Sequence, residues 1–274
     1  MSNSLSPDKV MQHLQESWRK LPDYRQANNN TKYEVADAAL SAYSVFLMQS
    51  PSFLAHQRDM QQRKGKDNAA TLFGVRKIPS DNQIRNLLDP VTPDHFWADF
   101  RWMHQELEQS GALAAFQDYK STYLIPFDGV VFHSSEKIHC DNCSHRQDCN
   151  GTTHYYHSAI LPVIVKPDSA HVLSLPPEFI VPQDGHEKQD CERAAVKRWL
   201  AHHHEQFESQ SVTFLGDDLH SNQPLCELID QTYEQFFIFV CKPDSHPTLY
   251  QWLASLEGAG GLEGKQESLE WPSW

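Results

Sequence analysis

Two aspartates beside apolar stretches, and a knot of cysteines and histidines, are the residues of this chain whose types and spacing suit chemistry. Asp128 sits in the run Tyr-Leu-Ile-Pro-Phe-Asp-Gly-Val-Val-Phe (123–132), and Asp217 follows Phe-Leu-Gly (214–216). Carboxylates held close together repel, and a divalent cation relieves that cost, so such a pair suits Mg2+ or Mn2+. Two such ions clamp the attacking and leaving oxygens of a phosphodiester during in-line displacement. The same two residues also read as an Asp-Gly turn and a loop cap, and on spacing alone that plainer reading is the stronger.

The second group is Cys140, Cys143 and Cys149, with His139, His145, His154 and His157 around them. A CxxC turn lets both sulfurs face one tetrahedral ion, and a third cysteine and a histidine complete zinc-type spacing. The expected Zn2+ ligands are Cys140, Cys143, Cys149 and His154, with His157 as substitute for His154. The competing reading is a mobile polar hairpin with reduced thiols. Cys191, Cys226 and Cys241 fall on expected helices or a strand and read as buried small hydrophobes. Asp190 reads as the cap of the next helix, and His202, His203 and His204 as solvated imidazoles near its end. Glu192, Arg193 and Arg198 read as a solvated face, with contact to nucleic acid as the alternative.

The elements that must position these groups change character near residue 120. Before it the pattern is helical: Ser6 and Pro7 start a helix through Val10, Met11, Leu14 and Trp18, and residues 32–49 carry a broad apolar face. Ser80 and Gln83 have capping-box spacing for a short helix, and residues 94–118 form another. After it the pattern is extended, with strands expected at 123–132, 157–165, 171–175, 212–215 and 236–241, and helices at 190–207 and 221–233. Three antiparallel strands followed by helix-linked parallel ones imply an α/β class with a mixed sheet flanked by helices, the layout of a ribonuclease H-like core. In that order the first and fourth strands are neighbours, which brings Asp128 and Asp217 to one rim. The expected organisation is 1–120 as an N-terminal helical region, 121–254 as a partial catalytic-type core, and 255–274 as a loose Gly-rich tail.

With 274 residues, 39% of them hydrophobic, the chain can bury a real core. It has no uninterrupted apolar run of membrane-spanning length and no leader pattern, so a soluble, cytoplasmic protein without membrane partners is expected. The scattered cysteines fit a reducing compartment. The formal net charge of -13 opposes phosphate binding. Residues 1–121 carry 14 basic and 14 acidic side chains, while 122–274 carry 9 and 22, so the second part is expected to repel DNA unless metal ions, a missing basic segment or a local basic patch offsets it.

Six stretches resemble blocks of a bacterial insertion-sequence transposase family of the DDE type. They are Val-Phe-Leu-Met-Gln-Ser-Pro-Ser-Phe-Leu (45–54), Ile-Pro-Ser-Asp-Asn-Gln-Ile-Arg (78–85), Ile-Pro-Phe-Asp-Gly-Val-Val-Phe-His-Ser-Ser (125–135), Lys-Gln-Asp-Cys-Glu (188–192), Phe-Leu-Gly-Asp-Asp-Leu (214–219) and Phe-Val-Cys-Lys-Pro-Asp-Ser-His (239–246). The resemblance runs from about residue 32 to about residue 253. It implies a ribonuclease H-like core in which Asp128 and Asp217 are the first and second catalytic acids and bind Mg2+ or Mn2+, while Asp218 is only a neighbour. It also implies a Cys-rich hairpin near residue 140, and DNA as partner through the N-terminal helices, where Arg58, Arg63, Lys64 and Lys66 are the basic residues. The family's third acid is a Glu on a later helix, after an insertion following the fifth strand, and nothing here matches it. Glu257, Glu263, Glu267 and Glu270 lie in the expected tail. The implied function is DNA strand cleavage and joining by a chain incomplete at its C-terminus. The alternatives are a non-catalytic fragment that binds DNA or regulates a full-length transposase by mixed assembly, as a homo-oligomer or with that partner, and a nuclease of the same fold.

Overall fold

The computed structural model describes residues 5–26, 31–62, 68–75, 77–181 and 190–261. Helix α1 (Pro7–Trp18) starts where Ser6 Oγ accepts the Lys9 amide at 3.2 Å and Pro7 occupies the first turn, which needs no donor there. Helix α2 (Val35–Leu47) opens with a capping box between Glu34 and Asp37. Next come α3 (Phe53–Gln62), α4 (Asn68–Thr71), α5 (Asp81–Leu88), capped by Ser80 Oγ on the Gln83 amide, and α6 (Trp97–Gln109). The helix expected over 94–118 is thus flanked by 3-10 turns at Pro93–Phe96 and Ala112–Phe116, with Gly111 at φ 75° ending α6. These helices enclose two apolar clusters, one around Met11, Leu14, Trp18, Leu40 and Phe73, the other around Val35, Ala38, Ile84 and Leu87. A buried Asp99 accepts from Trp18 Nε1 at 2.8 Å and contacts His13 Nε2 at 3.0 Å.

The remaining elements are β1 (Tyr123–Pro126), β2 (Gly129–Ser135), β3 (Ser144–Gln147), β4 (Thr153–Ile160), β5 (Val163–Ile164), β6 (Leu173–Ser174), β7 (Glu178–Ile180), α7 (Glu192–His203), β8 (Val212–Gly216), α8 (Gln223–Glu227), β9 (Phe236–Phe239) and α9 (Pro247–Gly258). Contacts divide the chain into one unit of Met1–Gln117 with Leu173–Pro176, and a second of Asp118–Val172 with Pro177–Trp274. Each is treated by itself.

The second unit is mixed α/β, built on two sheets where the sequence pattern predicts one. Strands run β1-β8-β9 in a parallel sheet and β2-β4-β3 in an antiparallel one, with β7 also pairing β4. The stretch 123–132, expected as one strand, breaks at Phe127 and Asp128. Pro126 has no N–H to continue a ladder, Phe127 N–H still donates to Leu215 O at 2.8 Å, and Asp128 O then accepts from Leu161 N–H at 3.4 Å, turning the chain from the first sheet into the second. Strands β3 and β7 come from segments read as loop, because β3 is exposed beyond Ser144 and β7 is too short to give a period. The segment from residue 255, expected loose, is helical to Gly258, and residues 262–274 of the expected tail lie outside the described residues. Among the described residues, no helix is long and apolar enough to cross a membrane.

Helix α7 packs its fully buried Trp199 edge-on against Phe127 and Phe214, whose rings stack at 5.0 Å. Its angle is fixed by Arg198, which forks onto Asp190 at 3.0 and 2.7 Å and also donates to Glu178 at 2.8 Å and Phe179 O at 3.1 Å. Asp190 therefore does not cap α7; Cys191 stands at the N-cap without a side-chain bond, and Asp190 is consumed by Arg198. Arg198 belongs to this internal fork and not to the solvated face expected for it. The Asp190 side chain is fully buried, and removing its charge leaves the Arg198 guanidinium with Glu178 alone to balance it. Asp190→Asn is expected to lower unfolding stability by roughly 3 kcal/mol, read as a leftward shift of the urea midpoint; an unchanged midpoint would remove the fork's structural role.

Candidate functional site

Strand β1 pairs with β8 in parallel register, Tyr123 with Val212 through Pro126 with Leu215. Asp128 and Asp217 each lie two positions past the last pair, so the structure brings them to the same end of two adjacent strands, whose spacing is about 4.8 Å. Both are exposed. Asp217 Oδ1 accepts from His220 Nδ1 at 3.0 Å and from Leu219 N–H at 2.9 Å, which leaves Oδ2 unencumbered. His220 is itself buried between Phe127 and Phe239, so it holds the carboxylate against a rigid wall. Asp218 points elsewhere: it accepts the Lys242 amide at 2.7 Å and pairs with His246 at 3.3 Å. The Lys242 amide bond keeps its carboxyl below the usual range.

A third acid joins this rim, and sequence reasoning missed it. Glu192, in the first turn of α7, lies so close over Gly129 that a Cβ built there would overlap its Oε1. Burial raises the Glu192 carboxyl above its ordinary range; His220 opposes the rise, and Asp128 and Asp217 add to it. Glu192 thus senses both aspartates electrostatically. Their oxygens do not all fall within 4.8 Å of each other, the criterion that one shared ion would meet. A two-ion centre spreads its ligands over metals about 3.5–4 Å apart and does not require that convergence. The sequence signal was the Gly after Asp128, which read only as a turn residue. Of the expected tail acids, Glu257 is exposed in the last turn of α9, and Glu263, Glu267 and Glu270 lie outside the described residues, as do Arg63, Lys64 and Lys66.

The cysteine and histidine cluster forms with different members from those expected. Among the described residues, the only three His, Cys, Asp or Glu side chains with ligand atoms all within 4.8 Å of one another are Cys140, Cys143 and His157. The sulfurs are 3.8 Å apart, and each lies 3.3 Å from His157 Nε2. The CxxC turn closes through Cys143 N–H on Cys140 O at 3.1 Å, and Cys140 N–H points at Cys143 Sγ at 3.3 Å. Burial raises the Cys143 thiol and lowers the His157 imidazole.

Cys149 and His154, expected as the third and fourth ligands, are not brought there. Cys149 lies in the turn after β3, while Cys143 precedes β3, so the length of the strand separates them. His154 is three residues from His157 on β4, and side chains three apart on a strand face opposite ways. It contacts Asp148 at 3.4 Å and Glu136 at 4.0 Å instead. His139 stacks on Tyr155 at 4.3 Å. Of the cysteines read as core, Cys191 is exposed, and Cys226 and Cys241 are half-buried. His203 is buried against Trp199, contrary to the solvated reading, while His202 approaches Glu178 at 3.5 Å.

Comparison with family models, with curated proteins and with solved structures gave no match.

A carboxyl whose folded-state pKa is raised destabilises the fold where it is ionised, and that penalty is relieved as pH falls through the raised value toward the unfolded one. Metal-free Glu192→Gln is therefore expected to melt above the parent at neutral pH, with the gain vanishing below the ordinary carboxylate range. Thermal melts across pH check this, and a gain independent of pH would remove Glu192 from the acid cluster.

Proposed function

We infer that this chain carries a metal-dependent centre for phosphoryl transfer on DNA, and that it is a transposase of an insertion element in which Asp128, Asp217 and Glu192 are the acidic residues. The observation that carries this reading is the parallel β1–β8 register, which gives both aspartates one rim. A ribonuclease H-like core accounts for that pairing, for the antiparallel strands that follow β1, and for helix α7 between the two groups of strands. The resemblance of six ordered stretches to the DDE family supports the same conclusion. It expects the third acid on a later helix; here Glu192 reaches the rim from α7 instead.

When bound, Mg2+ or Mn2+ supplies the positive charge that offsets the clustered carboxylates and stabilises the oxygens of an in-line displacement. The chain's own residues do the rest. Asp128 and Asp217 offer oxygens from adjacent strand ends, His220 holds Asp217 in one orientation through Oδ1, and Gly129 leaves room for Glu192. Cations in place would offset the surplus acid of residues 122–274 beside DNA. That same surplus favours, as second reading, a non-catalytic fragment that regulates a full-length transposase.

The test is nicking of supercoiled plasmid and joining of a 3'-hydroxyl oligonucleotide with Mg2+ or Mn2+. The parent is expected to act only with metal, and Asp128→Ala and Asp217→Ala to lose at least about a hundredfold, the scale of removing one electrostatic stabiliser. Glu192→Gln is expected to fall between them and the parent. Metal-dependent activity that survives in Asp128→Ala would refute the assignment, and a parent inert with both metals would leave the regulatory reading.

A further inference from the structure

Strand β4 runs between β2 and β3, and its register sets three residues on one level. Ser144 pairs with Tyr156, so Cys143, one residue earlier on the β3 side, stands opposite His157. On the other side, His133 of β2 pairs directly with His157, after a register shift between Val131 and His133. Directly paired residues project to the same face of a sheet. His133, His157 and the CxxC turn therefore share one face of the antiparallel sheet, and the bulge is what sets His133 in that phase.

The distances fit a tetrahedral ion held through sulfur and imidazole, the ligand set that Zn2+ commonly takes. Around a tetrahedral Zn2+, with Zn–S about 2.3 Å and Zn–N about 2.0–2.1 Å, sulfurs are about 3.8 Å apart and sulfur lies about 3.5 Å from nitrogen. The observed separations are 3.8 Å between the sulfurs and 3.3 Å from each sulfur to His157 Nε2. The amide of Cys140 directed at Cys143 Sγ supplies the kind of outer bond that steadies a thiolate ligand. Two imidazoles sharing such an ion through a ring nitrogen have centroids about 5 Å apart; those of His133 and His157 are 5.8 Å apart. His133 falls outside the tight trio, its ring nitrogens lying more than 4.8 Å from at least one of the trio's ligand atoms, so it would join them by a side-chain rotation. The other histidines nearby are engaged or turned away, His139 on Tyr155 and His154 on Asp148.

We propose that Cys140, Cys143, His157 and His133 bind one Zn2+ ion, which ties the CxxC turn to β4 and β2 across the antiparallel sheet. Hard cations such as Mg2+ are excluded by the two sulfurs, and a Cys2His2 set with all four positions taken by protein is a structural site. It neither requires nor implies the carboxylate centre, since no residue is shared between them.

The experiment measures Zn2+ in the purified 274-residue chain, its affinity by competition with a chromophoric chelator, and the visible spectrum after Co2+ replacement. One ion per chain is expected, with the intense bands of tetrahedral Co2+ and a thiolate charge-transfer band. Cys140→Ser and Cys143→Ser should lose at least about a hundredfold in affinity along with the charge-transfer band. Cys149→Ser and His154→Ala should match the parent. His133→Ala should weaken binding and shift the tetrahedral bands while keeping the thiolate band, and circular dichroism identifies any variant that has lost its fold. A folded parent that takes up no Zn2+ would overturn the site. Loss in Cys149→Ser or His154→Ala equal to that in Cys140→Ser would overturn the ligand set, and an unaltered His133→Ala spectrum would overturn the fourth ligand. Because the parent's Zn2+ content is read without any DNA assay, failure here is distinct from failure of the transposase reading.

Discussion

Parallel pairing of β1 with β8 is the constraint on which the second unit rests. Four backbone pairs, Tyr123–Val212 to Pro126–Leu215, bring together segments almost ninety residues apart in sequence and make their ends coincide. A parallel pair requires a long connection, and here the connection contains the antiparallel sheet and α7, whose Trp199 packs against the aromatic layer formed by Phe127 and Phe214. Everything at the rim inherits its position from that pairing: the two aspartates by register, Glu192 through α7, and His220 through the turn after β8.

The two candidate centres use opposite chemistry on separate scaffolds. The rim offers exposed oxygens at the ends of parallel strands, where hard, well-hydrated cations bind and exchange. The CxxC turn offers sulfur and imidazole on one face of an antiparallel sheet, and its short internal distances suit an ion that stays. One arrangement would leave space around a bound ion for a substrate; the other would fill an ion's positions with protein. The Arg198 fork with Asp190 and Glu178 links α7 to β7, which is itself paired to β4, so the helix carrying Glu192 and the sheet carrying His157 are braced by one guanidinium.

What the sequence made legible was what local pattern controls. The apolar runs ending at Asp128 and Asp217 marked two strands, the helical stripe of 35–47 marked α2, and Ser6 and Ser80 marked helix starts, because each depends on neighbours within a few residues. Glu192 was illegible because its role depends on where α7 lands relative to Gly129, a contact across more than sixty positions. The choice of His157 over His154 depended on which face of β4 meets the CxxC turn, and spacing alone does not encode a face until strand limits are known. The break of 123–132 into β1 and β2 was hidden because both halves are apolar enough to read as one strand, although β2 is largely exposed.

The alternation of β4 makes the length of this hairpin a matter of parity. Between the pair Gln147–Thr153 and His157, every residue added or deleted on one strand alone rotates the imidazole to the opposite side, and adding or deleting a second restores it. The loop Asp148–Thr152, closed by Asp148 on the Asn150 and Thr152 amides, lies beyond the last pair and does not set this parity. Within 153–157 only changes in twos, matched on β3, keep the imidazole on the side of the sulfurs. Sequences derived from the same ancestor should keep the parity of the count from the second cysteine of the CxxC turn to the end of β3.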